Sequence, residues 1–446
     1  MIRIANGQGF WGDWLEAPVR LIDQGPIDYL TLDYLAEVTM SILQKQKQAD
    51  PQLGYARDFP PLVARIARKI RDCGVKVIAN AGGVNPVACA REVLRLSPAL
   101  KVAVVLGDDV FARLDEFLAK GYDMRDMDTG RPLADIRERI LSANAYIGAF
   151  PLAEALATGA DVVVAGRSTD TALALAPMIH RFGWQPGEFD KLAAGTVAGH
   201  IIECGAQSSG GNCQVDWELI PNMADIGYPI VEAEPDGSFC VTKHPSAGGR
   251  VSLHTVKEQL LYELGDPTCY ITPDCVADFT SIHLDDAGPD RVRVSGIRGG
   301  PRPPTLKLSI AYAAGWKAIG TLVYSWPQAL EKACAADRIV RERLARLGLA
   351  FDQIHTEFLG VNACHGAAAP PNPDPPEVQL RIGVRGPERS AVDRFTRELI
   401  PLVLNGPPGA TGFGDGRPPA REVVAYWSAL VPREEIATSV MVVEQQ

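Results

Sequence analysis

The sequence predicts an α/β fold with a doubly wound, mainly parallel sheet in the N-terminal half, followed by an α+β domain. The first observation is that short β-branched segments alternate with amphipathic helical segments in the first half of the chain. Parallel strands need such crossovers, and their helices cover both faces of a sheet. The second is that this alternation stops near residue 225. The third is the length of 446 residues, which is long for a single hydrophobic core.

Five strands are predicted in the first half, at residues 2–5, 26–32, 75–79, 102–106 and 161–165. The clearest helical pattern between them places Leu62, Ile66 and Ile70 on one face, and Gly74 follows as a typical helix end. Further helical patterns separate the later strands. The first 225 residues are therefore predicted to form a ligand-binding α/β domain, because strands and helices alternate throughout them.

The second half has a different rhythm, which predicts a separate domain over residues 226–446. Residues 228–234 and 238–243 flank the turn sequence Pro235-Asp236-Gly237, and this pattern predicts a hairpin. More strand-like segments follow, together with two helical segments. Residues 367–377 are rich in proline and are predicted to form a loop or linker.

Composition argues against several classes of protein. Its 54 acidic residues outnumber its 44 basic ones and give a formal charge of −10, whereas nucleic-acid binders usually present a basic face. The apolar runs are much shorter than the roughly 20 residues of a membrane helix. The N-terminus lacks signal-peptide features, and the nine cysteines never form Cys-x-x-Cys. We therefore expect a cytoplasmic protein that binds neither nucleic acid nor a membrane.

A glycine-rich loop follows the first predicted strand and has the Gly-x-Gly-x-x-Gly spacing. Its candidate ligand-binding residues are Asn6, Gly7, Gly9, Gly12 and Asp13. With Asp33 about 20 residues further on, this layout matches a dinucleotide fingerprint. Phe10 and Trp11 add bulk, however, and Asp13 would repel a phosphate. The alternative is a tight turn in which Asp13 caps the next helix.

Two more polar loops follow later strands of the predicted sheet. Their candidate substrate-binding residues are Asn80, Gly82, Gly83 and Asn85 in one loop, and Arg167, Thr169 and Thr171 in the other. An arginine here could hold a carboxylate or phosphate, although helix capping is the alternative role for the polar residues. We favour binding because ligands of open α/β sheets collect outside the carboxyl ends of the strands.

A fourth segment carries a histidine and a carboxylate three residues apart. His200 and Glu203 would share one face of a helix and could act as acid and base or as metal ligands. No third ligand has matching spacing, so we predict no metal site. Cys204 could be a nucleophile, but the sequence gives no sign of a lowered thiol pKa. The following binding loop or hinge contains Ser208, Gly210, Gly211 and Asn212.

These segments together resemble the acyclic terpene utilisation (AtuA) family. One matching string is Gly-His-Ile-Ile-Glu-Cys-Gly at residues 199–205. The other stretches are residues 6–7, 9–13, 33–40, 80–83, 85–86, 165–167, 169–171, 255–262, 409–412 and 425–427. The resemblance covers nearly the whole chain. It implies a part in the bacterial breakdown of acyclic terpenes such as citronellol and geraniol, which proceeds through branched acyl-CoA intermediates.

The resemblance also bears on partners. Some relatives carry an extra C-terminal ferredoxin-like domain, and this chain is too short to include it. We therefore expect a small partner subunit of ferredoxin-like fold, and we also expect a homo-oligomer.

Together these observations predict a catabolic enzyme that acts on a small branched carboxylic acid or its CoA thioester by lyase or hydratase chemistry. The candidate acids and bases are Asp33, Glu37, Asp170, His200 and Glu203. Glu37 is included because it lies one helical turn after Asp33. The reaction needs no cofactor on this interpretation, although NAD(P) and a divalent metal stay open. The alternatives are a nucleotide-dependent oxidoreductase and a non-catalytic subunit of a catabolic complex.

Overall fold

The computed structural model of the chain describes residues 1–35, 37–412 and 416–445. Contacts divide the chain into two compact units, one formed by Met1–Ala311 and Tyr426–Gln446 and the other by Tyr312–Ala425. The boundary predicted near residue 225 falls within the first unit. Compactness does not report which segments fold independently, so that domain boundary stays a prediction.

The secondary structure follows the chain as two series of elements. The strands are β1 (Ile2–Gln8), β2 (Tyr29–Leu32), β3 (Lys76–Ala79), β4 (Val102–Leu106), β5 (Ile140–Ala145), β6 (Val162–Ala165), β7 (Pro229–Ala233), β8 (Phe239–Lys243), β9 (Tyr270–Ile271), β10 (Val276–Asp278), β11 (His283–Asp286), β12 (Arg291–Ser295), β13 (Arg298–Gly300), β14 (Thr305–Ser325), β15 (Gln353–Leu359), β16 (Glu377–Gly386), β17 (Arg421–Pro432) and β18 (Ser439–Val443). The helices are α1 (Glu16–Gln24), α2 (Glu37–Ala49), α3 (Phe59–Cys73), α4 (Pro86–Leu96), α5 (Leu114–Ala119), α6 (Phe150–Ala157), α7 (Ala172–Phe182), α8 (Phe189–Ile202), α9 (Leu253–Leu261), α10 (Ala329–Arg346), α11 (Arg389–Leu399) and α12 (Leu402–Asn405).

A large mixed sheet organises the first unit. Over the described residues it has ten strands in the order β11-β12-β8-β7-β1-β2-β3-β6-β4-β18. The run from β1 to β4 is parallel. The strands on both sides of that run are antiparallel. The α/β fold predicted from the sequence is confirmed, and the sheet is mixed because the β7–β8 hairpin pairs with β1 and extends the same sheet.

Alternate residues of the parallel strands belong to two separate cores. Ile78 and Val163 face a core that includes α6, α7 and α8. Val77 and Val162 face a second core, which includes α1, α3 and α4. Strands buried on both faces must be apolar at every position, which is why these strands are continuous Val/Ile/Ala runs. Burying one such side chain contributes about 1.5–3 kcal/mol, so both helical layers stabilise the sheet that carries the strand ends.

The second unit is an α+β element built on an antiparallel sheet. Its strands run in the order β15-β16-β14-β17, and the chain order is β14-α10-β15-β16-α11-β17. The helices α10 and α11 pack on the same apolar core as one face of the strands. This βαββαβ connectivity is that of a ferredoxin-like fold. Such a fold is therefore present within the chain itself, and a separate partner subunit stays a prediction.

We expect Gly7→Ala to destabilise the first unit, because Gly7 permits the close approach of α1 to β1. A Cβ atom on Gly7 would lie 2.9 Å from both Cα and Cβ of Pro18, which cannot move without shifting the helix. Overpacking of this kind costs about 1–3 kcal/mol. Urea unfolding followed by tryptophan fluorescence measures the loss. Gly187→Ala is the matched control, because a Cβ there meets nothing within 4 Å. Equal midpoints for the two variants would contradict the packing role.

Candidate functional site

Polar residues from the ends of β1, β2 and β3 form one hydrogen-bonded group at the carboxyl edge of the parallel strands. The Asp33 backbone N–H donates to the carbonyl of Gln8 at 3.0 Å. Asn80 donates from Nδ2 to Asp33 Oδ1 at 2.8 Å and accepts from the Tyr34 backbone N–H at 2.7 Å. Asp33 and Asn80 are both buried. Asn80 therefore holds the Asp33 carboxyl in a fixed position at this edge.

Arg167 carries a buried positive charge to the same edge from the end of β6. Its side chain is 2% exposed, and its guanidinium donates to the Leu35 carbonyl and to Asp170 Oδ1, the latter at 2.9 Å. The guanidinium also lies 4.2 Å from the centre of the Tyr146 ring. Asp170 reaches the surface, with 40% of its side chain exposed. Arg167 is bound to protein groups in this arrangement, and its direct contact with a substrate stays a prediction.

Asp108 supports this loop from the end of β4. Its carboxylate accepts from the Arg167 backbone N–H at 2.8 Å and from Asn144 Nδ2 at 2.9 Å. Burial raises the pKa of Asp108 to about 6, although these two donors oppose the shift. A Cβ on Gly166 would lie 2.5 Å from the Asp108 carboxylate oxygens, so only glycine fits there. The loop that presents Arg167 and Asp170 is therefore tied to β4.

The electrostatic environment of Asp33 favours its protonated form. Burial is the main cause that raises the pKa of Asp33 well above its ordinary value, and the negative charge of Asp170 adds to it. The Arg167 charge and the hydrogen bonds from Asn80 and Leu35 oppose this shift. A carboxyl group that keeps its proton in a buried site can act as a general acid.

His200 and Glu203 form a buried pair at the end of α8. His200 is 2% exposed, its Nδ1 lies 3.1 Å from Glu203 Oε1, and its Nε2 lies 3.3 Å from the Leu260 carbonyl oxygen. The rings of Tyr270 and Phe279 contact the imidazole. Because a carbonyl only accepts, Nε2 carries a hydrogen. The atom Nδ1 and the Glu203 carboxyl therefore share a single mobile proton.

The proton affinity of this pair is high. Burial raises the pKa of Glu203 to about 7, the contact with His200 opposes that shift, and the charges of Asp170 and Glu263 add to it. For His200, burial lowers the pKa, but the hydrogen bond and charge of Glu203 and the bond to Leu260 outweigh it, so the pKa is raised. Asp170 acts on both Asp33 and Glu203. The exposed carboxylate thus couples two buried proton-holding groups.

The end of β1 and the loop that follows it position the end of α8. Asn6 Nδ2 donates to the carbonyls of Ile202 at 2.6 Å and Glu203 at 3.0 Å. A Cβ on Gly9 would lie 2.9 Å from the backbone carbon of Cys204, so this loop and the helix end are in close contact. Asn6 therefore contacts the last residue of α8, and Gly9 contacts the segment just after that helix. Their roles in binding stay predictions.

Asp13 closes the same loop instead of capping a helix. Its carboxylate accepts from the Gly9 N–H at 2.9 Å, from the Trp14 N–H at 2.7 Å and from the Tyr228 hydroxyl at 2.7 Å. The helix α1 begins at Glu16, so the alternative that Asp13 is its N-cap is wrong. The Gly9 amide, which a pyrophosphate would need, is bound by this carboxylate. NAD(P) binding by the loop stays a prediction that no contact here favours.

The residues predicted in the loop after β3 contact other backbone segments of the protein. A Cβ on Gly82 would lie 2.6 Å from the Ala165 carbonyl oxygen, and Asn85 donates to the carbonyls of Pro51 and Leu53. Asn85 therefore holds a neighbouring loop and makes no side-chain cap for α4. Left-handed backbone angles occur at Gly12, Gly83, Gly210 and Asn212. Their roles in binding stay predictions.

Four predicted residues lie close to the Arg167 loop or to the end of α8. Thr169 and Thr171 belong to the segment that connects β6 to α7, and Thr171 packs against Gly199 of α8. Ser208 and Gly211 follow α8, and Ser208 is fully buried. The remaining candidate acid is Glu37, which begins α2, and its side chain lies outside the described part of the structure.

Several residues of the site escaped the sequence analysis. Tyr146 lies under Arg167, Tyr270 contacts His200, and Gln259 donates to the His200 carbonyl at 2.9 Å. They come from segments far apart in the sequence, and none has a motif that marks it. Burial raises the pKa of Cys204 to about 12, so its thiol stays protonated and is a poor nucleophile.

Within residues 1–35, 37–412 and 416–445, no group of three or more His, Cys, Asp or Glu side chains could hold a metal ion. Over the same ranges, no helix combines the length and apolar character needed to cross a bilayer.

Buried acids and a buried arginine at the carboxyl edge of parallel strands define an α/β protein with a candidate site for a small ligand. The family model for the acyclic terpene utilisation family protein AtuA matches residues 2–442, and the chain belongs to this family. Its membership supports a role in acyclic terpene utilisation. No curated protein and no solved structure matches the chain.

The pairing of His200 with Glu203 predicts a pH-dependent stability. Both groups have raised pKa values in the folded state, so their stabilising contribution is fully present in acid and is lost as the pH rises through about 7. We expect Glu203→Gln to flatten the dependence of the free energy of unfolding on pH between about 5 and 7, by up to about 1.4 kcal/mol per pH unit. Urea unfolding at a series of pH values measures this slope.

Glu188→Gln is the control for that experiment. The hydrogen bond from Lys191 lowers the pKa of Glu188, so its contribution is lost only as the pH falls below that window. This variant should keep the wild-type slope. A wild-type slope in Glu203→Gln as well would show that the pair does not hold the extra proton.

Proposed function

We propose that the chain is a catabolic enzyme that performs lyase or hydratase chemistry on a small branched carboxylic acid or its CoA thioester. The observation that carries this proposal is that Asp170, held by its 2.9 Å ion pair with Arg167, acts through its charge on two buried groups of high proton affinity, Asp33 and Glu203. Family membership supports the metabolic context, acyclic terpene utilisation. A reaction that moves one proton to the enzyme and another from it needs such a combination of groups.

The proposed step is the addition or removal of water next to an activated carbonyl. In the dehydration direction, Asp170 takes the proton from the carbon beside the carbonyl. The C–O bond at the next carbon then breaks, and Glu203 gives its proton to the departing hydroxyl, which leaves as water. A group with a pKa of about 7 suits this role, because it is partly protonated at neutral pH and can be reprotonated quickly.

The surrounding residues have supporting roles in this proposal. Arg167 orients Asp170 through the 2.9 Å ion pair and keeps its charge within reach of the substrate's anionic group. His200 supplies and accepts the proton that Glu203 exchanges. Asp33 holds a second proton next to Asp170, and Asn80 fixes its direction.

Exchange of substrate hydrogen with solvent tests this function directly. We expect the full chain to catalyse deuterium incorporation beside the carbonyl of a branched acyl-CoA or its free acid in D2O, as observed by proton NMR. Asp170→Asn should lower that exchange by about 100- to 10,000-fold, the usual contribution of a general base. Glu203→Gln should retain more of this exchange than Asp170→Asn does. It should lose the addition or removal of water, because Glu203 gives its proton to the departing hydroxyl.

The control is Glu188→Gln, whose carboxylate pairs with Lys191 on the surface. It should keep wild-type rates of both exchange and water addition. Wild-type exchange in a folded Asp170→Asn variant would remove Asp170 from the mechanism. If the wild type catalysed no exchange with any member of a panel of branched acids and thioesters, the proposed function would be overturned.

A further inference from the structure

The open face of the sheet in the second unit contains a charged depression. The helices cover one face of this sheet, and the other face has a cavity of about 490 Å³. The residues that line it include Lys317, Ile319, His355, Arg381, Gly383 and Arg385. These residues lie on β14, β15 and β16, so the floor of the cavity is regular sheet rather than loop.

Strand register explains the shape of this cavity. Gly383 of the middle strand lies opposite Ile319 on one side and His355 on the other. A glycine leaves this central position without a side chain, and a Cβ there would make only ordinary contact with Ile319, at 3.7 Å. Arg381 and Arg385 lie two positions before and after it on the same strand. The depression is therefore about 13 Å long and about 10 Å wide, from strand rise and spacing.

The charge of this depression is opposite to that of the chain. Its lining contains Lys317, Arg381 and Arg385 but a single carboxylate, Glu357, whereas the chain carries a formal charge of −10. Arg381 forms an ion pair with Glu357, which also lies 3.5 Å from His355. Lys317 and Arg385 form no ion pair with any residue that the structure describes. Both are exposed, so their charges are available to a ligand.

We propose that this depression binds the phosphate groups of a small organic diphosphate. Arginine forks and a lysine ammonium are the side chains that bind phosphate best. The dimensions fit a nucleotide-sized molecule, whereas a stable protein interface buries about 800 Å² on each partner. If the same face of a second copy of the chain docked here, cationic side chains would lie against cationic side chains, which is unfavourable. The proposal concerns a separate site and does not depend on the proposed reaction.

Calorimetric titration of the full chain tests this site with three probes at low ionic strength. Inorganic pyrophosphate and ADP should bind saturably, and adenosine, which lacks phosphate, should not. Tighter binding of ADP than of pyrophosphate identifies a nucleotide as the source of the phosphates, and equal binding identifies the diphosphate alone. Saturable binding of adenosine with the same affinity, or an absence of pyrophosphate and ADP binding at millimolar concentration, would overturn the proposal.

Variants locate the binding. Lys317→Ala and Arg385→Ala should each weaken pyrophosphate binding by about tenfold or more, because each removes a charge-assisted contact. Gly383→Val should block the depression while keeping the strand, since β-branched residues suit strands. The control is Arg346→Ala, which removes an exposed arginine of α10 that pairs with Glu342. An unchanged affinity in Gly383→Val and Arg385→Ala, with both variants folded, would also overturn the proposal.

Discussion

The pairing of the buried Arg167 guanidinium is the constraint on which the rest of the candidate site depends. A buried charge is costly unless it is paired and hydrogen-bonded, and Arg167 meets this need with the Leu35 carbonyl, the Asp170 carboxylate and the face of Tyr146. These partners come from three different connections of the chain. Satisfying one guanidinium therefore brings the loop after β2, the segment after β5 and the loop after β6 together at one edge.

The pKa values of the acids in this candidate site depend on one another's charges. Glu203 is buried beside a single histidine, and the charge of Asp170 discourages its ionisation further. The charge of Asp170 also raises the pKa of Asp33. In a medium of low dielectric constant, these interactions extend over several ångströms and are only partly cancelled by Arg167. The result is a site in which an exposed carboxylate and two buried proton donors influence one another.

Much of the fold could be predicted, because it depends on local patterns. The runs at residues 75–79, 102–106 and 161–165 contain β3, β4 and β6, and the turn at Pro235-Asp236-Gly237 joins β7 to β8. The polar loops after these strands predicted which edge of the sheet carries the candidate site, and the binding roles of their residues stay predictions. The addition of the hairpin to the same sheet could not be predicted, because strand pairing between distant segments leaves no local signal.

The sequence by itself determined the α/β fold, the family and the edge of the sheet where acids and glycines gather, since apolar periodicity and strand-end residues are local properties. Only the tertiary structure decided what those residues do. It paired Asp13 with the Tyr228 hydroxyl, Asn85 with the Pro51 carbonyl and Arg167 with the Leu35 carbonyl. The physical reason is that a polar group takes the partners that its surroundings supply, and those surroundings come from residues tens to hundreds of positions away.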